Sequence, residues 1–278
     1  MTSGTTQLCA VIGDPVSHSL SPLLFSTAFA ECDLDWTYVA FPVASQQLET
    51  ALNGARALGL RGLSVTMPHK EATAKLCDEL SPSASQLGAV NCVVVENDRL
   101  IGHNTDGDGF VDSLQHQFNF SPAGKNCVVI GAGGAGRSIA LALRHAGAAE
   151  IGVVNRSAER AQKALDLAGP SARHLTNDDP RLVEADLIVN ATPVGMEGVV
   201  DQSMPIDPSF LRAEQVIIDT VYRPLQTPFL DQAEKIGARF ANGVPMLAMQ
   251  AARQFELWTN IEAPRQEMMN AVTRFVAS

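Results

Sequence analysis

Short apolar runs rich in β-branched residues alternate along the chain with longer stretches in which apolar residues recur every three to four positions. The short runs are typical of buried β-strands, and the longer spacing is typical of amphipathic helices. Predicted strands cover residues 8–13, 36–43, 62–66, 87–95, 99–103, 128–130, 150–155, 185–190 and 215–219. Predicted helices cover residues 22–31, 46–59, 70–80, 108–117, 138–143, 159–168, 231–237, 246–259 and 264–276, with Ser21 as the cap of the first. Strands that alternate with helices predict an α/β fold whose sheets are mostly parallel.

A glycine cluster separates the predicted strand 128–130 from an alanine- and leucine-rich helix. Glycine permits a tight turn and lets a pyrophosphate approach the backbone, while the helix N-terminus offers unpaired N–H groups. The pattern predicts a dinucleotide site, and the alternative is a strand–helix turn that binds no ligand. Its G-x-G-x-x-G segment comprises Gly131, Ala132, Gly133, Gly134, Ala135 and Gly136.

The end of the next predicted strand indicates which dinucleotide is bound. An NAD-preferring unit usually carries an acidic residue there, which bonds the ribose hydroxyls. This chain has Asn155 and Arg156 instead, followed by Ser157 and, one turn later, Arg160. Arg156 is placed to bind a 2′-phosphate, so we predict NADP rather than NAD. The alternative is that Ser157 caps a helix and the arginines are merely exposed.

Composition narrows the class of protein. The 278 residues are 46% hydrophobic, which is enough for a sizeable core and about two domains. A net charge of −10 without a basic patch predicts no nucleic-acid partner, and no apolar run is long enough to predict a membrane span. The five cysteines are odd in number and lack a C-x-x-C pair, which favours a reducing compartment, so we expect a soluble, cytoplasmic protein. The histidines show no metal-ligand spacing, and no metal is predicted.

Two ionisable residues are candidates for chemistry. Lys70 follows Pro68 at the start of a predicted helix, where the positive end of the helix dipole disfavours a cation and therefore suits proton transfer. Asp106 also precedes a predicted helix, and ligands of open α/β sheets bind where the strands end. The alternatives are that Lys70 is a solvated surface lysine and Asp106 a helix cap. Asn91 is a third member of the site or a turn asparagine.

Eight segments of the chain carry motifs in one register, namely residues 19–22, 65–70, 88–91, 104–107, 131–136, 155–157, 221–224 and 243–250. Together they resemble the motifs of shikimate dehydrogenases, and the resemblance covers nearly the whole chain. It implies an N-terminal α/β substrate domain with a mostly parallel sheet and an inserted Rossmann-type dinucleotide-binding domain. The implied substrate domain covers residues 1–106 and 243–278, and the NADP-binding domain covers 107–242.

The resemblance also implies the reaction and the roles of single residues. The reaction is the reversible reduction of 3-dehydroshikimate to shikimate with NADPH as hydride donor, in the pathway to chorismate and the aromatic amino acids. The implied catalytic pair is Lys70 and Asp106. The positions implied to bind substrate are Ser19, Ser21, Thr66, Asn91, Tyr222 and Gln250. Besides the glycine turn, the positions implied to bind the cofactor are Asn155, Arg156, Ser157, Arg160, Thr192, Val221, Gly243 and Met249.

Three positions depart from the family pattern without removing a catalytic group. Ser64 replaces a common asparagine, Cys92 replaces the threonine that usually follows Asn91, and Ser157 replaces a threonine. The first two adjoin the implied substrate pocket, so paralogues that act on quinate or aminoshikimate remain alternatives. A non-catalytic NADP(H) sensor is the competing class. The implied assembly is a monomer or a homodimer.

Overall fold

The computed structural model describes residues 2–198 and 203–277. The chain divides into two compact units. Unit 1 comprises Met1–Thr105 with Gln250–Val272, and unit 2 comprises Asp106–Met249 with Thr273–Ser278. The domain limits expected from the sequence lie one residue later at the first boundary and seven residues earlier at the second. The segment 273–278, which was expected in the substrate domain, belongs to unit 2.

The sheet of unit 1 has six strands in the order β2-β1-β3-β5-β6-β4. The pairs β1–β2, β1–β3 and β4–β6 are parallel, whereas β5 runs antiparallel to both β3 and β6. The sheet is therefore mixed, with parallel pairs in the majority, as predicted. Its strands are β1 (Gln7–Gly13), β2 (Trp36–Pro42), β3 (Gly62–Val65), β4 (Glu79–Leu80), β5 (Cys92–Glu96) and β6 (Arg99–His103).

The sheet of unit 2 also has six strands, and all of them are parallel. Its order is β12-β11-β10-β7-β8-β9, which is the doubly wound arrangement of dinucleotide-binding folds. The chain order reverses between the neighbours β7 and β10, and such a reversal opens a crevice for ligands. Its strands are β7 (Asn126–Ile130), β8 (Glu150–Val154), β9 (Ala172–Leu175), β10 (Leu187–Asn190), β11 (Val216–Asp219) and β12 (Arg239–Ala241).

The α-helices of the described residues connect these strands and complete the chain. They are α1 (Ser21–Glu31), α2 (Leu48–Ala57), α3 (Lys70–Leu76), α4 (Pro82–Leu87), α5 (Asp106–Phe118), α6 (Gly134–His145), α7 (Ala158–Ala168), α8 (Pro228–Lys235), α9 (Val244–Thr259) and α10 (Arg265–Val276). None of the helices that the structure describes is long and apolar enough to cross a membrane.

The local structure corrects three expectations. Ser21 was expected to cap α1, but it is the first helical residue and Leu20 occupies the cap position. The helix that begins at Lys70 was expected to reach residue 80, yet it ends at Leu76. The chain then forms β4 and the short helix α4, which Ser81 caps by accepting a hydrogen bond from the Ala84 N–H at 3.3 Å. This extra helix delays the strand expected at 87–95, so that β5 begins only at Cys92.

Each unit has its own apolar core. In unit 1, Leu52, Leu63 and Leu100 are at most 1% exposed and pack on the sheet. In unit 2, alternate residues of β7 point to opposite faces, as a strand requires. Val129 packs with Phe110 and Ile139 on one face, whereas Val128 packs with residues of α8 such as Phe229 on the other. Because both faces of the unit 2 sheet are covered by helices, ligands can reach the strands only at their ends.

Candidate functional site

In unit 1, the predicted substrate residues lie at one end of the sheet, where the strands β1, β3 and β6 end and β5 begins. Ser64 of β3 pairs with Cys92 of β5, which pairs in turn with His103 of β6. Because β5 runs antiparallel to its neighbours, its first residue lies beside the last residues of β3 and β6. The segments that leave the sheet at these strand ends are therefore residues 14–21, 66–70, 91 and 104–105. They contain five of the predicted site residues, which are Ser19, Ser21, Thr66, Lys70 and Asn91.

Lys70 is the first residue of α3, and its side chain is half-buried. Its position is set by the backbone, because its carbonyl oxygen accepts from the Val90 N–H at 2.9 Å. The preceding residue, His69, is 1% exposed, and its Nε2 contacts the Val43 carbonyl oxygen at 2.7 Å. These bonds hold the lysine next to the segment that carries Asn91, whose own carbonyl accepts from the Val65 N–H at 2.8 Å.

Asn91 and Gln250 come together in unit 1 although 159 residues separate them. Asn91 Nδ2 donates to Thr105 Oγ1 at 3.1 Å and to Gln250 Oε1 at 3.4 Å, and Asn91 Oδ1 accepts from the Thr105 N–H at 2.8 Å. The Thr105 hydroxyl donates to the Gln250 carbonyl oxygen at 3.0 Å. Thr105 was not predicted as a site residue. It holds Asn91 in place immediately before Asp106, which begins α5 inside the helix and not as its cap.

Ser19 and Thr66 lie on the loops after β1 and β3, Ser21 is the first residue of α1, and all three are half-buried. The Ser21 N–H donates to Ser19 Oγ at 3.2 Å, which brings both hydroxyls to the start of α1. Hydroxyl groups at a helix start suit the binding of a carboxylate, because they donate hydrogen bonds without carrying charge.

Two polar residues of this region, Tyr38 and Gln254, were missed from the sequence, and both contact Ser64. Tyr38, Ser64 and Gln254 are 5%, 6% and 2% exposed. The Tyr38 hydroxyl donates to Ser64 Oγ at 2.6 Å, and the Ser64 hydroxyl donates to Gln254 Oε1 at 2.5 Å. Gln254 Nε2 then donates to Gln250 Oε1 at 2.8 Å. One signal was available, since Gln254 is a polar residue on the apolar face of a predicted helix, one turn after Gln250.

In unit 2, the glycine turn has the shape that its spacing predicts. Gly131 has a φ of +104°, which a residue with a side chain rarely adopts, and a Cβ on Gly136 would clash with the Gly131 carbonyl oxygen. A Cβ on Gly133 or Gly134 would meet nothing within 4 Å. Helix α6 begins at Gly134, so its first N–H groups face this open space. Ala132 is buried and Ala135 half-buried beside them.

The residues after β8 lie beside this turn. Asn155 Oδ1 accepts from the Ala132 N–H at 3.2 Å, which ties the two loops together. Ser157 caps α7, as its Oγ accepts from the Arg160 N–H at 3.3 Å. The structure therefore confirms that Ser157 caps a helix, as the alternative expected. Arg156 and Arg160 are exposed, and neither forms an ion pair with a residue that the structure describes.

A buried carboxylate joins the loops after β10 and β11. Asp219 is 0% exposed, and it accepts from Asn190 Nδ2 at 3.0 Å, from the Val221 N–H at 3.0 Å and from the Thr227 hydroxyl at 2.7 Å. Burial raises the pKa of the Asp219 carboxyl to about 6, although these hydrogen bonds oppose the shift. Asn190 Oδ1 accepts from the Thr192 N–H at 3.0 Å and from its hydroxyl at 2.6 Å. Thr192 and Val221, both predicted cofactor residues, thus depend on one buried pair.

The other predicted residues of unit 2 lie after β11 and β12. The Gly243 N–H donates to the Val221 carbonyl oxygen at 2.9 Å, and a Cβ on Gly243 would clash with the Thr220 carbonyl oxygen. Met249 is 1% exposed. Tyr222 is half-buried, and burial raises the pKa of its hydroxyl.

These features fit a phosphorylated dinucleotide. The open turn at Gly133 and the start of α6 suit a pyrophosphate, and the guanidinium groups of Arg156 and Arg160 suit a further phosphate. Among the described residues, no group of three or more histidine, cysteine, aspartate or glutamate side chains is arranged to hold a metal ion.

Comparison with known proteins gives matches along the whole chain. The family described as shikimate dehydrogenase substrate binding domain matches residues 11–93. The family described as shikimate/quinate 5-dehydrogenase matches residues 113–219, and the shikimate 5′-dehydrogenase C-terminal domain matches residues 243–273. The shikimate dehydrogenase (NADP(+)) of Desulforamulus reducens is 40% identical over 283 residues, which cover 99% of this chain and 97% of the relative.

Solved structures agree with these matches. A crystal structure of shikimate dehydrogenase in complex with NADP+ has a TM-score of 0.93 and 35% identity, and the match covers 100% of this chain and 98% of the other. The shikimate 5-dehydrogenase of Thermus thermophilus, in complex with NADP(H) and shikimate, has a TM-score of 0.88 and 38% identity, and the match covers 96% of this chain and 99% of the other. The chain, with its two open sheets and its glycine turn, belongs to the shikimate dehydrogenase family.

Proposed function

We propose that this protein is an NADP-dependent shikimate dehydrogenase, which reversibly reduces 3-dehydroshikimate to shikimate. The observation that carries the proposal is that this member of the family has polar groups suited to the substrate in unit 1 and a dinucleotide turn in unit 2. Unit 1 presents hydroxyl and amide groups beside a lysine, and unit 2 presents a dinucleotide turn with exposed arginines after the second strand. We assign substrate binding to unit 1 and cofactor binding to unit 2.

The polar groups at the strand ends of unit 1 can form the hydrogen bonds that a small polyhydroxy acid requires. Ser19 and Ser21 are proposed to bind the substrate carboxylate through hydroxyl donors. Tyr222 is proposed as a further substrate-binding residue. Thr66, Asn91 and Gln250 are proposed to bond the ring hydroxyls. Amides and hydroxyls both donate and accept, so they can match a hydroxyl in either role.

Proton transfer is assigned to Lys70. When bound, NADPH supplies the hydride that reduces the substrate carbonyl. The ammonium group of Lys70 donates a proton to the carbonyl oxygen, and in the reverse reaction the amine takes that proton from the hydroxyl. Asp106 is proposed as the second catalytic residue.

In unit 2, the proposed cofactor residues divide by the part of the dinucleotide that they would bind. The backbone of the glycine turn and of α6 is assigned to the pyrophosphate. Asn155, Arg156, Ser157 and Arg160 are assigned to the adenosine ribose and its 2′-phosphate. Thr192, Val221, Gly243 and Met249 are assigned to the rest of the pocket.

The experiment that tests the function follows NADPH absorbance with purified protein and 3-dehydroshikimate. We expect turnover, and kcat/KM in the reverse direction should be higher for shikimate with NADP than for any other combination of shikimate or quinate with NAD or NADP. Tight NADPH binding without turnover of any shikimate-like acid would instead identify a sensor.

Quinate is the second candidate substrate. A quinate dehydrogenase of Corynebacterium glutamicum in complex with NAD has a TM-score of 0.90 at 29% identity. Ser64 and Cys92, the departures from the family pattern, are paired with each other in the sheet of unit 1 and adjoin Asn91. A higher kcat/KM for quinate than for shikimate would favour this candidate.

The cellular location is also a proposal. All five cysteines are free thiols, which is the state that a reducing compartment maintains. This agrees with a cytoplasmic enzyme, and fractionation of the source cells would test it.

A further inference from the structure

A line of hydrogen bonds in unit 1 runs in a single direction. It begins at Tyr38, whose hydroxyl donates to Ser64, and continues as the Ser64 hydroxyl donates to Gln254. A hydroxyl carries one proton, so Ser64 accepts on one side because it donates on the other. The direction of each bond is therefore set by the one before it.

The first donor in the line keeps its proton. Burial raises the pKa of the Tyr38 hydroxyl well above its usual value, although hydrogen bonds with Ser64 and Ser21 oppose the shift. The Tyr38 ring stacks on Phe25 with ring centroids 4.4 Å apart, which keeps the phenol from turning. Tyr38 is consequently a fixed donor near neutral pH.

The direction of the line determines how the Gln254 amide is oriented. Its oxygen accepts from Ser64, so its NH₂ group lies on the opposite side, where it donates to Gln250 Oε1 at 2.8 Å and to Thr105 Oγ1 at 3.3 Å. Gln250 Oε1 is also the acceptor for Asn91 Nδ2 at 3.4 Å. Two donors thus converge on the side-chain oxygen of Gln250.

We propose that Tyr38, Ser64 and Gln254 are positioning residues that orient the Gln250 amide, so that Gln250 meets the ring hydroxyls of the substrate with its N–H donors. This inference rests on the proposed function, because Gln250 is a substrate residue only there. A flipped Gln250 amide would turn its NH₂ toward the donors of Gln254 and Asn91. The flip would remove the acceptor that these two amides share, at a cost of about 1–3 kcal/mol, and would therefore be disfavoured.

The proposal gives Ser64 a definite role at a position where the family commonly has asparagine. Ser64 would act on the substrate through two amides. Its hydroxyl fixes which atom of the Gln254 amide accepts, and Gln254 in turn fixes the Gln250 amide. The N–H groups of Gln250 then face the substrate, where they require an oxygen acceptor. Losing the hydroxyl should thus weaken substrate binding while leaving the chemistry and the cofactor site unchanged.

The test is a double-mutant cycle between Ser64→Ala and Gln250→Ala. Ser64→Ala should raise the KM for shikimate about tenfold, with kcat within about threefold of the wild type and the KM for NADP unchanged. In the Gln250→Ala background, Ser64→Ala should raise KM no further, because the residue through which it acts is gone. Tyr38→Phe should raise KM only about threefold, since Ser64 still donates to Gln254.

Ser113→Ala is the matched control for the loss of a buried hydroxyl. Ser113 is 5% exposed and its hydroxyl donates to the Phe110 carbonyl oxygen at 2.6 Å, outside this line. We expect an unchanged KM for shikimate. Should Ser64→Ala fail to fold, the same cycle between Tyr38→Phe and Gln250→Ala replaces it.

Two results would overturn the inference while the wild type turns over shikimate, which leaves the proposed function standing. One is an equal rise in KM for Ser64→Ala in both backgrounds, and the other is a KM for Ser64→Ala no higher than for Ser113→Ala. If the wild type neither turns over shikimate nor binds it in calorimetry, the proposed function and the inference are both wrong.

Discussion

Each unit holds a buried polar cluster near the carboxyl ends of its parallel strands, and the two clusters differ in charge. The neutral cluster of unit 1 contains hydroxyls and amides alone, from Tyr38 through Ser64 and Gln254 to Gln250. The Asp219 cluster of unit 2 surrounds a carboxyl group whose pKa burial raises to about 6. The neutral cluster has no proton to gain or lose near pH 7, whereas the Asp219 cluster does.

The difference in charge suits the two clusters to different roles, which are hydrogen bonding to a substrate in unit 1 and holding two loops together in unit 2. Recognition of a neutral hydroxyl requires donors and acceptors in fixed directions, and a network of hydroxyls and amides keeps its directions at every pH in the working range. The Asp219 cluster joins two loops through Thr192 and Val221, and one carboxylate can accept several bonds at once. Because the Asp219 carboxyl titrates, the stability of this cluster depends on pH.

The largest expected effect concerns chemistry, which the proposed function places in unit 1. Lys70→Ala should lower kcat by about 10²- to 10⁴-fold, the usual contribution of general acid–base catalysis, while the Kd for NADPH stays the same. Steady-state kinetics and NADPH fluorescence titration measure the two quantities. Lys75→Ala, an exposed lysine of the same helix, is the control. A near-normal kcat for Lys70→Ala would mean that the chemistry lies elsewhere.

The next effect tests the charge of the Asp219 cluster. The folded pKa of Asp219 lies above its unfolded value, so its stabilising contribution is complete below about pH 4 and is lost as the pH rises through 6. This difference between the folded and unfolded pKa corresponds to a contribution of about 3 kcal/mol to the free energy of unfolding. Asp219→Asn keeps the hydrogen bonds, because its amide can donate to Thr227, and removes the titration. Its Tm relative to the wild type should therefore rise between pH 4 and pH 7.

Thr227→Val is the control for that measurement. It deletes one hydrogen bond of the Asp219 cluster and retains the carboxyl group. Its Tm should be lower than that of the wild type at each pH, with the loss of stability toward pH 7 retained. If Asp219→Asn and the wild type lost stability in parallel from pH 4 to pH 7, Asp219 would not be the titrating group.

The smallest of the three effects tests cofactor choice in unit 2. Arg156→Ala should raise the KM for NADP by about 10- to 100-fold, the loss of a charge-assisted hydrogen bond, and change the KM for NAD less than about twofold. Arg173→Ala is the control, since Arg173 is exposed on β9 and pairs with Glu150 at 2.5 Å. Equal losses for both cofactors would show that Arg156 does not bind the 2′-phosphate.

Long, strongly patterned elements were predictable from the sequence, and short ones were not. The apolar strands β1, β7, β8 and β11 and the long helix α9 were found within one or two residues of their observed limits. The helix α4 and the strands β4, β9 and β12 were missed. They are between two and six residues long, and β9 has a single buried residue, Leu175, so the local pattern is too short to show a period.

Candidate site residues divide in the same way. The glycine turn, Asn155 and Arg156 are close in sequence to the strands that place them, so spacing alone brought them together. Tyr38 and Gln254 carry no local motif, and they meet Ser64 from positions 26 and 190 residues away. Such contacts depend on how the sheet and α9 pack, and no local pattern encodes them.

The sequence by itself determined the family, the α/β class and the dinucleotide turn, because backbone conformation and hydrophobic period act over a few neighbouring residues. Only the tertiary structure decided that one buried cluster is neutral and directional while the other holds a carboxyl group of raised pKa. The reason is physical, since desolvation and hydrogen-bond direction are properties of the surroundings that folding creates, and not of the residues taken one by one.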